Sequence, residues 1–186
     1  WEEVIALDPD DAKALERLDD LYEKRREWDK LIDIKRRRYE LATDDSGVAR
    51  LREAADLAAT RMRDRELAES LWKEVLQVEP SDDAALAALE QIYDREKDYD
   101  ALADVLAKRV PGIEDPKERS MALLKLGQLY SDRLDEPEKS LDVWLELLEL
   151  EPENARPRDA VRKAYVELER FDELEDFYAQ TDAWAE

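Results

Sequence analysis

Apolar residues recur along the chain at the spacing of one helix face. Between Ala122 and Tyr130 they stand at Leu123, Leu126, Leu129 and Tyr130, and each has another of the set three or four residues away. Because an α-helix turns about 100° per residue, that spacing puts them on a single stripe. The residues that dominate the rest of the chain, Ala, Leu, Glu, Lys and Arg, all favour helix. The pattern predicts an all-α protein.

This pattern returns at a long, regular interval. Segments that begin at Trp1, Trp72 and Trp144 share an acidic third residue, apolar fourth and fifth residues and a proline at the ninth. The offsets are 71 (72 minus 1) and 72 (144 minus 72). The match continues downstream at Leu18/Leu89/Val161, Tyr22/Tyr93/Tyr165, Trp28/Tyr99/Phe171 and Leu31/Leu102/Leu174. Such a register indicates an array of repeats.

Each period is predicted to hold two helix hairpins of about 36 residues. Pro9, Pro80 and Pro152 end helices, because the residue before proline is pushed out of the α region. The Asp, Ser or Asn residues that follow them can cap the next helix. An extra residue is expected in the connector 110–117, which contains two turn-forming prolines. The predicted units of this single repeat domain are 1–9 (partial), 10–43, 46–80, 81–112, 117–152 and 153–180.

The unit 117–152 resembles a tetratricopeptide repeat in its Leu-Gly-x-x-Tyr motif, the small residue that opens its second helix, the large residue four positions later and the closing proline. These residues are Leu123, Leu126, Gly127, Tyr130, Ser140, Trp144 and Pro152. One extra residue near Asp135 departs from the family spacing of about 34 residues. The other units keep less of the motif, with Asp19, Ala55 and Arg162 at or beside the glycine position.

The resemblance implies an all-α, right-handed superhelical solenoid of about five hairpins with a partial one at its beginning. HAT-type and other α-hairpin repeats are the alternatives. Trp1 to Leu7 matches the back half of a second helix, so we expect the chain to be part of a longer array. Trp184 is expected either to cover the last apolar face or to lie in a tail.

Composition excludes several functions. The formal net charge is -21, which repels nucleic acid and anionic membrane surfaces. The chain has no His, which is the commonest general base and metal ligand. It also has no Cys, whose thiolate acts as a nucleophile and as a metal ligand. No uninterrupted apolar stretch of about 18 residues exists. We therefore expect no enzyme activity, no cofactor, no nucleic acid and no membrane contact. The compartment is not fixed, with the cytoplasm as the default. The excess of Arg over Lys, 19 to 11, is typical of a GC-rich bacterial source.

Charged clusters offer little catalytic or metal chemistry. Asp44 and Asp45, with Ser46 and Gly47, resemble a fragment of a calcium loop, but the twelfth position is Ala55 instead of a bidentate Glu. The basic runs 35–38 and 61–65 are expected to pair with the protein's own carboxylates, the alternative being contact with an anionic partner. Aromatic residues that recur in every copy are expected to pack between hairpins.

In tetratricopeptide repeats the first helices line a concave surface. With the recurring tyrosines as register, the resemblance places there Glu16, Asp20, Arg52, Asp56, Ala87, Gln91, Leu124, Gln128, Asp159 and Lys163, with Lys125 beside them. None of these pairs has the Lys and Asn of the family's carboxylate clamp. The partner-binding residues that we predict are Glu16, Asp20, Arg52, Asp56, Gln91, Lys125, Gln128 and Lys163.

The predicted function is a protein-interaction scaffold that holds a partner segment with basic residues. One alternative is a structural spacer or assembly segment whose exposed terminal helices associate end to end. A more distant alternative is a sensor of a small ligand or lipid in an inner channel.

Overall fold

A computed structural model describes residues 1–43 and 46–182. Asp44 and Asp45 of the calcium-loop fragment, and Trp184, lie outside the described residues. The described chain is helical and contains no strand. Its α-helices, in chain order, are α1 (Glu2–Leu7), α2 (Ala12–Arg25), α3 (Trp28–Glu40), α4 (Ser46–Leu57), α5 (Arg65–Val78), α6 (Asp83–Glu96), α7 (Tyr99–Arg109), α8 (Pro116–Leu129), α9 (Pro137–Leu150), α10 (Ala155–Glu167) and α11 (Phe171–Asp182). The predicted all-α repeat fold is confirmed.

Helix boundaries have the causes that the sequence indicated. After each of the three prolines, a side-chain oxygen caps the following helix. Asp11 accepts from the backbone N–H of Ala14 at 2.7 Å, and Asp82 accepts from that of Ala85 at 2.7 Å. Asn154 does the same for α10. Each cap satisfies one of the N–H groups that a helix start leaves without an intrahelical partner.

The chain divides into two compact units, residues 1–92 and 93–186, with α6 running across the division. In the first unit, α1 packs on α2, α2 on α3, α3 on α4 and α4 on α5. Leu15, Leu18, Tyr22, Leu31 and Ile34 form a core cluster between α2 and α3. Burial of each such side chain contributes about 1.5–3 kcal/mol relative to leaving it in water.

The second unit repeats this arrangement, with α8 on α9, α9 on α10 and α10 on α11. Gly127 on α8 is buried against α9, and a Cβ there would lie 2.7 Å from Trp144 Cε2. Helices can approach this closely only where a side chain is missing. The missing side chain of Gly127 therefore allows α8 and α9 to cross at this distance.

Two π-helical turns account for the extra residue near Asp135. They span Ala58–Met62 and Tyr130–Leu134 and end α4 and α8. At each, a backbone N–H bonds a carbonyl six residues earlier, from Asp64 to Ala58 and from Glu136 to Tyr130. At the end of α2 the corresponding bond runs from Glu27 to Tyr22, only five residues. The wider turn therefore holds one more residue.

The three tryptophans that defined the period are not equally buried. Trp72 and Trp144 are 6% and 3% exposed, whereas Trp1 is 48% exposed. Trp1 stands at the beginning of α1, a helix of six residues that packs on α2. Tyr22, Tyr93 and Tyr165 are all buried in the hairpins, as their recurrence indicated.

Candidate functional site

Four of the predicted partner-binding residues lie on α2 and α4 of the first unit. Glu16, Asp20 and Asp56 are exposed, and Arg52 is half-buried. Arg52 and Asp56 line a cleft of about 520 Å³, which we call the acidic cleft. Its lining residues are Glu23, Lys35, Arg52, Glu53, Asp56, Leu57 and Trp72.

Lys35 in the acidic cleft is bound by the protein's own carboxylates. Its Nζ lies 3.1 Å from Asp19 Oδ1 and 2.6 Å from Glu53 Oε2. Burial lowers the pKa of Lys35, but the hydrogen bond to Glu53 and the charge of Asp19 outweigh it, so the pKa is raised. Asp19 also pairs with Arg38. Lys35 therefore stays charged and is not free to bind a partner.

Arg52 is held by carboxylates in the same way. Its Nε donates to Asp82 Oδ2 at 2.6 Å, and the guanidinium also pairs with Glu79. Asp82 in turn caps α6. Arg52 was predicted to contact a partner, but the structure engages it with the connector between α5 and α6. Its charge is already matched, which weakens its attraction for an anionic ligand.

Four other carboxylates on α2 and α4 are left without cations. Glu16, Asp20, Glu23 and Asp56 are exposed, and none has an ion-pair partner among the described residues. Glu16, Asp20 and Glu23 follow one another at four and three residues, so they share one face of α2. These four exposed carboxylates therefore carry negative charge that no ion pair among the described residues neutralises.

Only Arg52 and Asp56 of the seven residues that line the cleft were predicted as site residues. Glu23 could have been found by extending the Glu16 and Asp20 face by one turn. Glu53 and Trp72 carried no such signal, because their positions depend on how α3 and α5 pack against α4. Glu16 itself lines a neighbouring cleft of about 390 Å³, together with Arg38 and Arg50.

The second unit offers a smaller cleft of about 180 Å³. Gln128 and Lys163 line it together with Trp144 and Arg156. Lys163 lies 3.5 Å from Glu167, one turn along α10. Arg156 is exposed and its guanidinium has no partner among the described residues. This cleft therefore has one cation, Arg156, that no carboxylate among the described residues holds, unlike the acidic cleft.

The remaining predicted residues lie outside these clefts. Lys125 is half-buried on α8 and lies 3.2 Å from Asp94. Gln91 is exposed on α6 and Asp20 on α2, and neither lines a cleft described above. The structure thus brings Arg52 together with Asp56, and Gln128 together with Lys163.

All four cations of the basic run 35–38 pair with the protein's own carboxylates, as the sequence indicated. The pairs are Lys35 with Asp19 and Glu53, Arg36 with Glu74, Arg37 with Asp10 and Glu40, and Arg38 with Asp19. In the second basic run, Arg61 lies 5.8 Å from the ring centroid of Trp28. Arg133, one period later, lies 5.1 Å from that of Tyr99. These cations support the packing of hairpins.

Comparison with known proteins defines the class. Residues 14–49, which cover most of α2 and all of α3, match the tetratricopeptide repeat family. Together with the succession of helix hairpins, this match supports a tetratricopeptide-like α-hairpin repeat fold. The fold supports the role of a scaffold that binds other proteins, a class that is generally not catalytic.

Three solved structures are similar to this chain at low identity. MamA from Desulfovibrio magneticus is 16% identical, with 92% of this chain and 93% of that chain covered and a TM-score of 0.46. PilF from Pseudomonas aeruginosa is 16% identical over 92% and 75%, with a TM-score of 0.42. A tetratricopeptide repeat protein from Parabacteroides merdae is 14% identical over 93% and 66%, with a TM-score of 0.49. No curated protein matches the sequence.

The described residues offer neither a metal cluster nor a membrane-spanning helix. No group of three or more acidic side chains there is placed to hold a metal ion. No helix in the described part of the chain has the length and apolar character needed to cross a membrane.

Proposed function

We propose that the chain is a protein-interaction scaffold whose first unit binds a partner segment rich in Lys or Arg. One observation carries the proposal. The cations that line the acidic cleft are paired with the protein's own acids, while the neighbouring Glu16, Asp20, Glu23 and Asp56 have no cation among the described residues. A basic segment would supply the charge that this surface lacks.

The charge balance supports a protein partner and disfavours phosphate-bearing ones. At a net charge of -21, long-range attraction operates on cationic ligands alone. Tetratricopeptide-like hairpins also present rigid helix faces, so the carboxylates are held in place before a partner arrives. Such preorganisation reduces the entropy lost on binding.

Fluorescence anisotropy with a labelled Lys-Ala repeat peptide of about twelve residues tests the proposal. The triple variant Glu16→Gln, Asp20→Asn, Asp56→Asn should bind about tenfold more weakly, at about 0.5 kcal/mol for each exposed charge pair. Binding by the wild type should weaken as salt rises from about 0.05 M to about 0.5 M.

A matched control removes the same number of charges elsewhere. Asp29, Asp33 and Glu66 are exposed on α3 and α5 and line none of the clefts described. The triple variant Asp29→Asn, Asp33→Asn, Glu66→Gln should keep wild-type affinity. Equal loss in both triple variants would show that only net charge matters, and unchanged affinity in the first would exclude this surface.

A structural spacer that associates end to end is the second candidate function. The observation that favours it is the exposure of apolar side chains on and beside α1, where Leu7 is 90% exposed and Trp1 48% exposed. Exposed apolar surface of this kind favours association. Sedimentation velocity of wild type and Leu7→Asp at increasing concentration tests it. Concentration-dependent dimers in the wild type and none in the variant would support the spacer, and monomers in both would reject it.

A further inference from the structure

One aromatic side chain that lines the acidic cleft lacks both a hydrogen-bond acceptor and a cation over its ring among the described residues. Trp72 lines the cleft and is 6% exposed. Its buried Nε1 has no hydrogen-bond acceptor among the described residues. Cations lie over Trp28, Tyr22, Tyr99 and other rings, but none of the described cations lies over Trp72.

Trp144, one period later, has the equivalent position with its donor satisfied. Its Nε1 donates to Ser131 Oγ at 3.0 Å. The residue that corresponds to Ser131 in the first unit is Ala59 (131 minus 72), whose side chain has no acceptor. An unsatisfied buried donor is costly, so the difference between the two copies points to an acceptor supplied from outside.

The walls of the acidic cleft complete a site for a positively charged, partly apolar group. Asp56 and Glu23 are exposed carboxylates without a cation among the described residues, and Leu57 adds apolar surface. Lys35 and Arg52 cannot fill this role, because both are already bound by carboxylates. The second cleft, beside Trp144, differs because its two acids, Asp132 and Glu167, are matched in number by Arg156 and Lys163.

We infer that the acidic cleft is an anchor for an arginine residue of the partner. The guanidinium lies against the carboxylates of Asp56 and Glu23, and its methylene groups lie against Leu57 and the indole of Trp72. A main-chain carbonyl of the partner accepts from Trp72 Nε1, for which the indole shifts toward the cleft. Arginine fits better than lysine because its planar guanidinium stacks on aromatic rings and binds carboxylates through several N–H groups. This inference rests on the proposed function and names the residue that the surface selects.

Two peptides of equal charge test the selection. Labelled Arg-Ala and Lys-Ala repeats of about twelve residues are titrated into the wild-type protein, and the Arg-Ala peptide should bind roughly fivefold more tightly. In the double variant Glu23→Gln, Asp56→Asn this preference should disappear, while Asp29→Asn, Asp33→Asn should keep it. Equal affinity of the wild type for both peptides would overturn the inference.

NMR spectroscopy reports on Trp72 directly, because each of the five Trp residues gives an indole N–H resonance. Saturation with the Arg-Ala peptide should move the Trp72 resonance downfield, as expected when the N–H gains an acceptor, and leave that of Trp144 in place. Trp72→Phe and Trp144→Phe assign the signals. Trp72→Phe should also lose the arginine preference, with Trp144→Phe as its control. An unmoved Trp72 resonance at saturation would contradict the anchor.

A second variant avoids any loss of folding at Trp72. Ala59→Ser adds the acceptor that Ser131 gives to Trp144, so the partner gains less from the indole, and affinity for the Arg-Ala peptide should fall roughly threefold. Unchanged affinity would mean that the partner does not use this donor. If neither basic peptide binds the wild type, the proposed function itself fails. If both bind equally and salt weakens both, only the arginine anchor fails.

Discussion

Gly127 and Trp144 are in contact across the α8–α9 crossing so closely that a Cβ on Gly127 would lie 2.7 Å from Cε2 of the indole. Trp144 is 3% exposed and its Nε1 is fixed by Ser131, so the ring cannot move aside freely. The contact explains why the unit closest to the tetratricopeptide motif keeps its glycine.

Gly127→Ala should therefore destabilise the protein. Overpacking costs about 1–3 kcal/mol, which exceeds the roughly 1 kcal/mol that alanine gains as a better helix former. Urea unfolding should show a net loss of about 1 kcal/mol. Gly112→Ala is the matched control, because a Cβ there meets nothing within 4 Å. An equal effect of both substitutions would contradict the close crossing.

Ala59→Ser should stabilise the first unit. The new hydroxyl takes the place of Ser131 and accepts from Trp72 Nε1, which adds about 1 kcal/mol, less a few tenths for the lower helix propensity of serine. Thermal unfolding measures the change. In a Trp72→Phe background the same substitution should give no gain, and a gain of equal size there would show that the indole is not the donor.

Glycine just after α2 and just after α10 should raise the free energy of unfolding. Arg26 and Glu169 have φ of 58° and 55°, a left-handed conformation in which a Cβ is crowded. Arg26→Gly and Glu169→Gly should each gain about 0.5 kcal/mol. Arg17→Gly, in the exposed interior of α2, should lose about 1 kcal/mol, and this contrast is measured by urea unfolding. Destabilisation in all three would remove the conformational explanation.

Tyr22 should make the protein sensitive to alkaline pH. Burial, and next the hydrogen bond that its hydroxyl donates to Glu2 Oε1 at 2.7 Å, raise the pKa of Tyr22 to about 12. A pKa raised in the folded state gives stability that is complete below the unfolded value of about 10 and is lost as pH rises toward 12.

Urea unfolding at pH about 9 and about 11.5 should show a loss, on the order of 1 kcal/mol, that is larger in the wild type than in Tyr22→Phe. The difference isolates Tyr22 from the other tyrosines, since Tyr130 and Tyr165 are present in both proteins. Identical losses would mean that ionisation of Tyr22 does not oppose folding.

The partner-binding surface was only partly predictable. The helix period places Glu16 and Asp20 on one face of α2, and both are exposed. Arg52 is different, because its partners Glu79 and Asp82 lie 27 and 30 residues away and meet it only when α4 and the α5–α6 connector pack. Long side chains take their partners from tertiary neighbours, which periodicity within one helix does not reveal.

The sequence by itself determined the helices, their caps, the 72-residue period and the glycine crossing. These follow from local propensity, from side-chain caps within three residues and from a stripe that each helix must bury. Tertiary structure decided that π turns take up the extra residue, which carboxylates pair with Lys35 and Arg52, and that Trp72 lies with Asp56 in one cleft. Those outcomes depend on distances between separate helices, which are set when the hairpins pack.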